Sequence, residues 1–281
     1  MRIVCVGAGP AGLYFAILMK ARDQDHEVTV LERNPAGVTY GWGVVFWDDL
    51  VEQLRASDPT TAGAIGAAAF RWNGERLAVE GRGTAETEGH GYGIGRQRLL
   101  ELLLERALSL GVHLEFGREV ESLAELADAD LVVACDGVNS RIRQLAPESF
   151  GTDVRVGRNK YLWLGTTEVF DVFTFGFVET SNGWIWCHAY GFDDATSTFI
   201  VECSPETWAG LGFDRLAEPD ALALLERVFE PHLEGHPLKS KVRADGAAHW
   251  LNFRTLINEQ WHHDNVVLMG DAAHTTHFTI G

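Results

Sequence analysis

The chain has 281 residues, 46% hydrophobic and 10% aromatic, which excludes a disordered protein and predicts two intertwined modules around a large core. Asp and Glu outnumber Lys and Arg by 40 to 23, and the net charge of −17 argues against non-specific binding to nucleic acid or anionic membrane. No apolar run reaches membrane-spanning length and no apolar targeting core precedes Arg2, so a cytoplasmic protein is expected.

Val4-Cys5-Val6 reads as a buried strand that runs into Gly7-Ala8-Gly9-Pro10-Ala11-Gly12. In such a turn Gly7 leaves the strand sharply, Gly9 lets backbone approach a pyrophosphate, and Gly12 lets the next helix pack close to the sheet. That helix, about Ala11 to Arg22, points its amides and dipole at the phosphates. Val28-Thr29-Val30-Leu31 is the second strand and ends in Glu32, whose carboxylate suits ribose hydroxyls and would repel a 2′-phosphate. The pattern predicts a bound dinucleotide and disfavours NADP at this position.

A glycine-rich loop from Gly37 to Gly43 leads to a helix-like stretch, Asp48 to Ala56. Phe70 to Leu77 reads as a β-hairpin turning at Asn73-Gly74. Leucines at 99, 100, 103 and 104 predict a helix from Arg96 to Leu110, and Val112–Phe116 and Leu131–Cys135 restore a parallel α/β pattern. Between Tyr161 and Val201, alternating aromatic segments (Tyr161–Leu164, Phe173–Phe177, Trp184–Trp186, Phe199–Val201) predict an antiparallel sheet. A short helix at Pro219–Phe229 and a strand near Lys239–Arg243 follow. Val266–Met269 is a last strand, running into Gly270-Asp271-Ala272-Ala273-His274. Cys5, Cys135, Cys187 and Cys203 lack CxxC spacing and are expected as buried, reduced thiols.

Leu131–Cys135 continues into Asp136-Gly137-Val138-Asn139-Ser140-Arg141-Ile142-Arg143. This resembles the Asp-Gly motif of single-component FAD-dependent aromatic monooxygenases of the para-hydroxybenzoate hydroxylase fold. With the first glycine motif and Gly270–His274, three signatures of that family stand in its order. Gly41-Trp42-Gly43-Val44-Val45 and the His274–Gly281 end are similar to a narrower set, the salicylyl-CoA hydroxylases and the N-terminal domain of anthraniloyl-CoA monooxygenases; the tryptophan hydroxylase of violacein biosynthesis is a relative.

The resemblance implies an α/β fold: a Rossmann-like FAD-binding domain (1–66, 91–155 and 255–281) with an inserted, mostly antiparallel β substrate domain (67–90 and 156–254). It implies a chain truncated before the family's C-terminal helices, with a reductase domain fused beyond in the CoA-linked relatives. The implied reaction hydroxylates an aromatic ring, an aryl-CoA thioester by the narrower likeness, through a C4a-hydroperoxyflavin formed with O₂ and NAD(P)H as transient donor. A free aromatic such as tryptophan and a non-catalytic FAD-binding fragment stay open as alternatives.

By the same resemblance Gly7, Gly9, Ala11 and Gly12 hold the pyrophosphate, and Glu32 and Arg33 the adenosine ribose. Arg96 reaches the flavin phosphate or ribityl region, Val120 borders the adenine, and Asp136 and Gly137 lie near the pyrophosphate and the nicotinamide's approach. Gly270 leads to Asp271, which binds a ribityl hydroxyl.

Four further features carry weaker signals. His274-x-x-His277 has spacing for one helical face, but no third ligand accompanies it and no metal is expected. His277 is a candidate for hydrogen bonding to substrate, or else a structural histidine in the turn. Trp184-Ile185-Trp186 resembles the flavin-halogenase Trp-x-Trp-x-Ile-Pro, but Cys187-His188 replaces the Ile-Pro; aromatic packing on a sheet is the plainer reading. Lys239, Lys241 and Arg243 alternate along one strand face, where they could receive CoA phosphates or protect an edge from aggregation.

Overall fold

The computed structural model describes residues 1–39, 41–240 and 250–278. The chain opens with β1 (Arg2–Val6), α1 (Pro10–Arg22), β2 (Glu27–Glu32), β3 (Gly43–Phe46), α2 (Asp48–Ser57), α3 (Pro59–Ala68), β4 (Phe70–Val79) and β5 (Gly83–Gly95). It continues through α4 (Arg96–Ser109), β6 (His113–Phe116), β7 (Leu131–Ala134), α5 (Arg141–Leu145), α6 (Pro147–Phe150) and β8 (Thr152–Thr166). Then come β9 (Phe173–Thr180), β10 (Gly183–Asp193), β11 (Thr196–Cys203), α7 (Pro205–Gly210), α8 (Glu218–Val228) and α9 (Glu230–Leu233). The last strands are β12 (Leu238–Lys239), β13 (Leu251–Asn258), β14 (His262–His263) and β15 (Val266–Leu268).

Two sheets organise these elements. The first runs β14-β15-β7-β1-β2-β6 and is parallel except for β14 at its edge. Ile3, Val4, Cys5 and Val6 of β1 are all buried, because both faces of the strand are covered and no alternation is needed. Pro10 starts α1 without wasting an amide, while Lys20 and Arg22 in its last turn complement the dipole. From β1 the chain steps outward to β2 and β6, then returns on the other side through β7 and β15. The order reverses between β1 and β7, and in an open α/β sheet ligands bind in the crevice beyond the strand ends at that point.

The second sheet has nine strands, ordered β12-β8-β11-β10-β9-β4-β5-β3, with β13 paired to β8. It is mostly antiparallel; β4 and β9 run parallel. One face packs on α7, α8 and α9 through Leu162, Ile185, Phe199, Ala221, Leu225 and Phe229. The other face carries Tyr161, Trp163, Phe175, Phe177, Trp186, His188, Ile200 and Glu202, which follow from register and alternation.

Three expectations change. Asn73-Gly74 is not a hairpin turn: β4 passes straight through it, with a register shift between Asn73 and Glu75. Gly74 takes φ +77 and a Cβ there would meet the Thr87 carbonyl at 2.4 Å, so its left-handed backbone is absorbed as a bulge. The turn falls at Glu80-Gly81-Arg82, where Arg82 N–H bonds back to Val79 O at 3.0 Å. A second helix, α3, follows α2 unheralded, since its Ala/Gly-rich Pro59–Ala68 offers little periodicity. The strand near Lys239 is two residues long in β12; Lys241 and Arg243 lie outside the described residues. Among the described residues no helix is long and apolar enough to cross a membrane.

Candidate functional site

The crevice at the reversal of strand order is made largely of backbone. Gly7 ends β1 at φ +110, and a Cβ on it would lie 2.4 Å from Cys135 O at the end of β7. Only glycine allows β1 and β7 to approach so closely there. A Cβ on Gly12 would meet Gly7 O at 2.1 Å and the Cys135 sulfur at 2.6 Å, so α1 lies directly against the turn. Gly9 differs: nothing lies within 4 Å of where its Cβ would point. It is the N-cap of α1 and contributes no side-chain cap, and the first turn carries no acidic residue. The amides and the positive end of the dipole therefore face open space, a ready anion site.

Glu32 closes the next side. Its Oε2 accepts from Ala8 N–H at 2.9 Å, and its Oε1 accepts from the Asn34 backbone and side chain at 2.8 and 2.7 Å. The carboxylate is thus held in one orientation beside the glycine turn. A cavity of about 180 Å³ is lined by Gly7, Gly9, Glu32, Arg33, Arg96, Val120, Asp136, Gly137 and Arg141. A second of about 180 Å³ shares Gly9, Glu32, Asn34 and Arg96 and runs along Leu100 and Leu104 of α4. Val120 is buried at the back of the first cavity.

Asp136 uses one oxygen structurally: its Oδ2 accepts from Arg141 and Ile142 N–H at 2.6 and 3.2 Å, capping α5. Its buried Oδ1 has no hydrogen-bond partner. Arg96 opens α4, and its backbone N–H bonds to Trp42 O at 2.8 Å. Burial lowers its pKa from the ordinary arginine value and the charge of Asp271 acts against that. The Asp271 carboxyl is shifted the opposite way: surrounding protein raises it and Arg96 pulls it down. Asp271 is exposed and Arg96 half-buried, so the two charges that act on each other lie at a rim rather than in the core. Arg96 Nε is buried without a partner. An orphaned guanidinium nitrogen, an orphaned carboxylate oxygen and an uncapped helix N-terminus around one cleft suit a ligand with phosphates and sugar hydroxyls, and FAD has both.

Gly270 (φ +61) brings the last motif against α1, where a Cβ would touch the Ala11 Cβ at 3.1 Å. Two residues outside the expected set fasten this corner. Arg143, nearly buried, donates to Ala272 O at 2.8 Å and Val138 O at 2.6 Å, and so ties the Asp-Gly loop to the Gly-Asp loop. Asn258 donates to the Ala273 carbonyl from β13. Arg143 belongs to the recognised motif, which was its available signal; Asn258 had none, because its partner is a distant backbone carbonyl.

The segment after Asp271 crosses from this rim to the second sheet. Thr275 bridges to Leu256 of β13, and Phe278 then packs on Tyr161 and His188 at 5.4 and 5.6 Å between ring centroids. His277 stacks on Phe278 at 4.4 Å and places Nε2 3.4 Å from Glu202 Oε1. His188, nearly buried, has its pKa pushed down to about 4 by burial and by the charge of His277. Trp186 stacks with Phe177 at 6.2 Å, and Arg82 lies 5.6 Å over Trp184, so both tryptophans belong to this aromatic face. The Gly41–Gly43 loop joins the two halves: a Cβ on Gly41 would strike Trp163, and Gly43 bonds to Thr198 Oγ1 and Tyr190 Oη. Lys239 is exposed, paired with Gly165 at the sheet edge. His274 and His277 do not converge: His274 stacks on Trp261 at 6.3 Å.

Comparison with known proteins points to the same cofactor. A family described as FAD binding domain matches residues 124–281, and an NAD(P)-binding Rossmann-like domain matches residues 5–42. Salicyloyl-CoA 5-hydroxylase from a Streptomyces species is 40% identical over all of this chain and 55% of its own length. A 3-hydroxy-4-methyl-anthranilyl-[aryl-carrier protein] 5-monooxygenase from Streptosporangium sibiricum is 34% identical, and the protodeoxyviolaceinate monooxygenase of Chromobacterium violaceum 32%. The chain is covered fully in both, against 74% and 75% of those proteins. Among solved structures, 2-methyl-3-hydroxypyridine-5-carboxylic acid oxygenase superposes with a TM-score of 0.78 at 19% identity, over 97% of this chain and 75% of that one, which shows a shared fold.

Proposed function

The chain belongs to the FAD-binding monooxygenase family, and from that membership we propose that it hydroxylates the ring of an aromatic acyl thioester. One observation supports the reading: residues 270–278 run from the start of α1, where Gly270 lies against Ala11, to the aromatic sheet face under Phe278, so a cofactor cleft at one end and a substrate floor at the other would share one wall. Bound FAD, reduced by NAD(P)H, supplies the activated oxygen. The protein's part is to bind, orient and exclude water.

In this reading Gly7, Gly9, Ala11 and Gly12 with the start of α1 hold the pyrophosphate. Glu32, with Arg33 beside it, takes the adenosine ribose, and Val120 borders the adenine. Arg96, with Asp271 beyond Gly270, holds the phosphate and ribityl chain. The unpartnered Oδ1 of Asp136, next to Gly137, faces the same cleft and the nicotinamide's approach. The aromatic face of β9, β10 and β11 receives the ring. Lys239, at the edge of that sheet, would meet thioester phosphates, with Lys241 and Arg243 following in the chain. The relatives named for a CoA ester and an aryl-carrier protein favour a thioester, while the protodeoxyviolaceinate enzyme favours a free aromatic.

The test begins with the visible absorption of the purified chain after loading with FAD and desalting. NADH and NADPH oxidation is then followed with salicyloyl-CoA, free salicylate and tryptophan. Stimulation by the thioester alone supports the proposal. Stimulation by a free aromatic alone moves the substrate assignment, and a colourless protein with no stimulated oxidation sinks the monooxygenase reading for this chain.

A further inference from the structure

One edge of β8 has no strand beside it among the described residues. At Tyr161 the strand is flanked on both sides, by Glu202 of β11 and by Leu251 of β13. β11 stops pairing at Lys160, whereas β13 continues along β8 to Thr152. From Thr152 to Arg158 the side away from β13 is therefore an open edge, with α7 beginning at its far end, where Arg158 donates to Glu206 at 2.8 Å. Its side chains alternate, with Thr152, Val154 and Val156 on one face and Asp153 and Arg155 on the other. Val154 is 46% exposed and Val156 62%, the highest figure among the described large apolar side chains. Asp153 and Arg155 pair with each other, Arg155 Nε donating to Asp153 Oδ2 at 2.8 Å.

An open edge is a template for another strand, and proteins guard it with like charges, prolines or short length. The outer half of β5 is guarded in this way: from Gly83 to Gly89 it offers Glu86 and Glu88 and no exposed large apolar side chain. The β8 edge instead carries opposite charges two residues apart, with an exposed valine between them and another beyond. We propose that this edge joins two copies of the chain, β8 pairing antiparallel with the partner's β8 about a two-fold axis through Val154. Hydrogen-bonded and non-hydrogen-bonded pairs alternate along antiparallel strands, so the axis has to pass through a residue that faces its own copy. Centred on Asp153 or on Arg155, two like charges would meet directly. Centred on Val156, Val154 would face the partner's Arg158 and Arg155 the partner's Gly157, which leaves the charges unmatched. Centred on Val154, Asp153 faces the partner's Arg155 on one side of the sheet. On the other side Val154 meets its own copy and Val156 meets the partner's Thr152. Of these registers only the one at Val154 covers the valines and matches the charges.

β13, on the other side of β8, carries Leu256 and Asn258, which fasten Thr275 and the Ala273 carbonyl. A second copy on the β8 edge would therefore brace the ribbon that ties the two sheets together. A contact of this length is small for an interface, so a concentration-dependent monomer–dimer equilibrium follows. The inference stands apart from the hydroxylase reading, since neither cofactor nor substrate takes part in it.

The test is sedimentation of the purified 281-residue chain over a range of concentrations, with charge reversals on the edge. Wild type should move from one chain to two per particle as concentration rises. Asp153→Arg and Arg155→Asp, each placing like charges face to face, should each weaken association about tenfold or more. The double variant Asp153→Arg/Arg155→Asp should recover it, and an equimolar mixture of the two single variants should associate where neither does alone. Val154→Lys, which sets two ammonium groups at the axis, should abolish it. Both charges are exposed and their pairing within one chain contributes little, so thermal melts should show the charge variants folded. One folded charge reversal together with the double variant suffices. A wild type that stays monomeric at every concentration would overturn the proposal. A dimer that neither charge reversal weakens, or a double variant as weak as the single ones, would overturn it equally.

Discussion

At the ends of β1, β2 and β7 the site is built from main chain: two glycine positions that admit no Cβ, a third facing open space, and an uncapped helix start. On the open face of β8 to β11 it is built from side chains whose backbones are ordinary strand: Tyr161, Trp186, His188, Glu202 and the incoming His277. A backbone site tolerates almost no change at its glycines, since the geometry is the function. A side-chain site tolerates exchange of shape and fails when a charge partner is removed. With the first region holding the cofactor and the second the substrate, as proposed, one cofactor half could serve many substrate faces.

The sharpest way to break this contrast is Gly12→Val. Its Cβ would fall 2.1 Å from a carbonyl oxygen, and we expect a loss of about 4 kcal/mol or more in chemical denaturation. Gly9→Ala is the control within the same turn: with nothing near its Cβ, stability should change by less than about 0.5 kcal/mol. FAD retention after desalting should nevertheless fall. If Gly9→Ala keeps its flavin band, the open space above α1 is not the phosphate site.

Next in size is Arg106→Ala, which strips the guanidinium from Asp58 at 4% exposure and should cost about 3 kcal/mol. Burial alone would raise the Asp58 carboxyl, but the Arg106 and Thr61 hydrogen bonds, with the Arg106 charge, hold it below the ordinary aspartate value. A lowered folded-state value means this stability is present above about pH 4 and is lost as acid protonates the carboxylate below that. The variant's stability should therefore vary less with pH below about 4 than that of the wild type.

His188 gives the opposite half its own pH signature. Its folded value near 4 lies below the ordinary 6.5, so between those two the unfolded chain binds a proton that the native protein refuses. Stability should fall by about 3 kcal/mol as pH drops through that window, and His188→Gln should flatten this part of the curve. A wild-type curve that is flat from pH 6.5 to 4 would show that His188 is not sealed in the sheet. The smallest effect is expected at the bulge: Gly74→Ala should cost about 2 kcal/mol, from φ +77 and the Thr87 carbonyl, with no change in flavin retention.

Gly7, Gly12, Glu32 and the Asp136 and Asp271 motifs were legible because each is a local backbone event, a turn and a strand end that need particular residues at fixed spacing. Sequence by itself also determined the mostly antiparallel character of the region from Tyr161 to Val201, through period-two alternation. Tertiary structure alone decided the rest. Asn73-Gly74 carries the same dipeptide in a hairpin turn or a bulge, and only the long pairing with β5 chose the bulge. Glu202 reads as one more polar residue at a strand end, and His277 as either a turn histidine or a candidate to hydrogen-bond substrate, with no sign that the two are neighbours. They meet across 75 residues because the chain returns from β15 over the open sheet face. Hydrophobic period and turn chemistry act over a few residues, whereas a carboxylate–imidazole pair of this separation depends on how two sheets are joined.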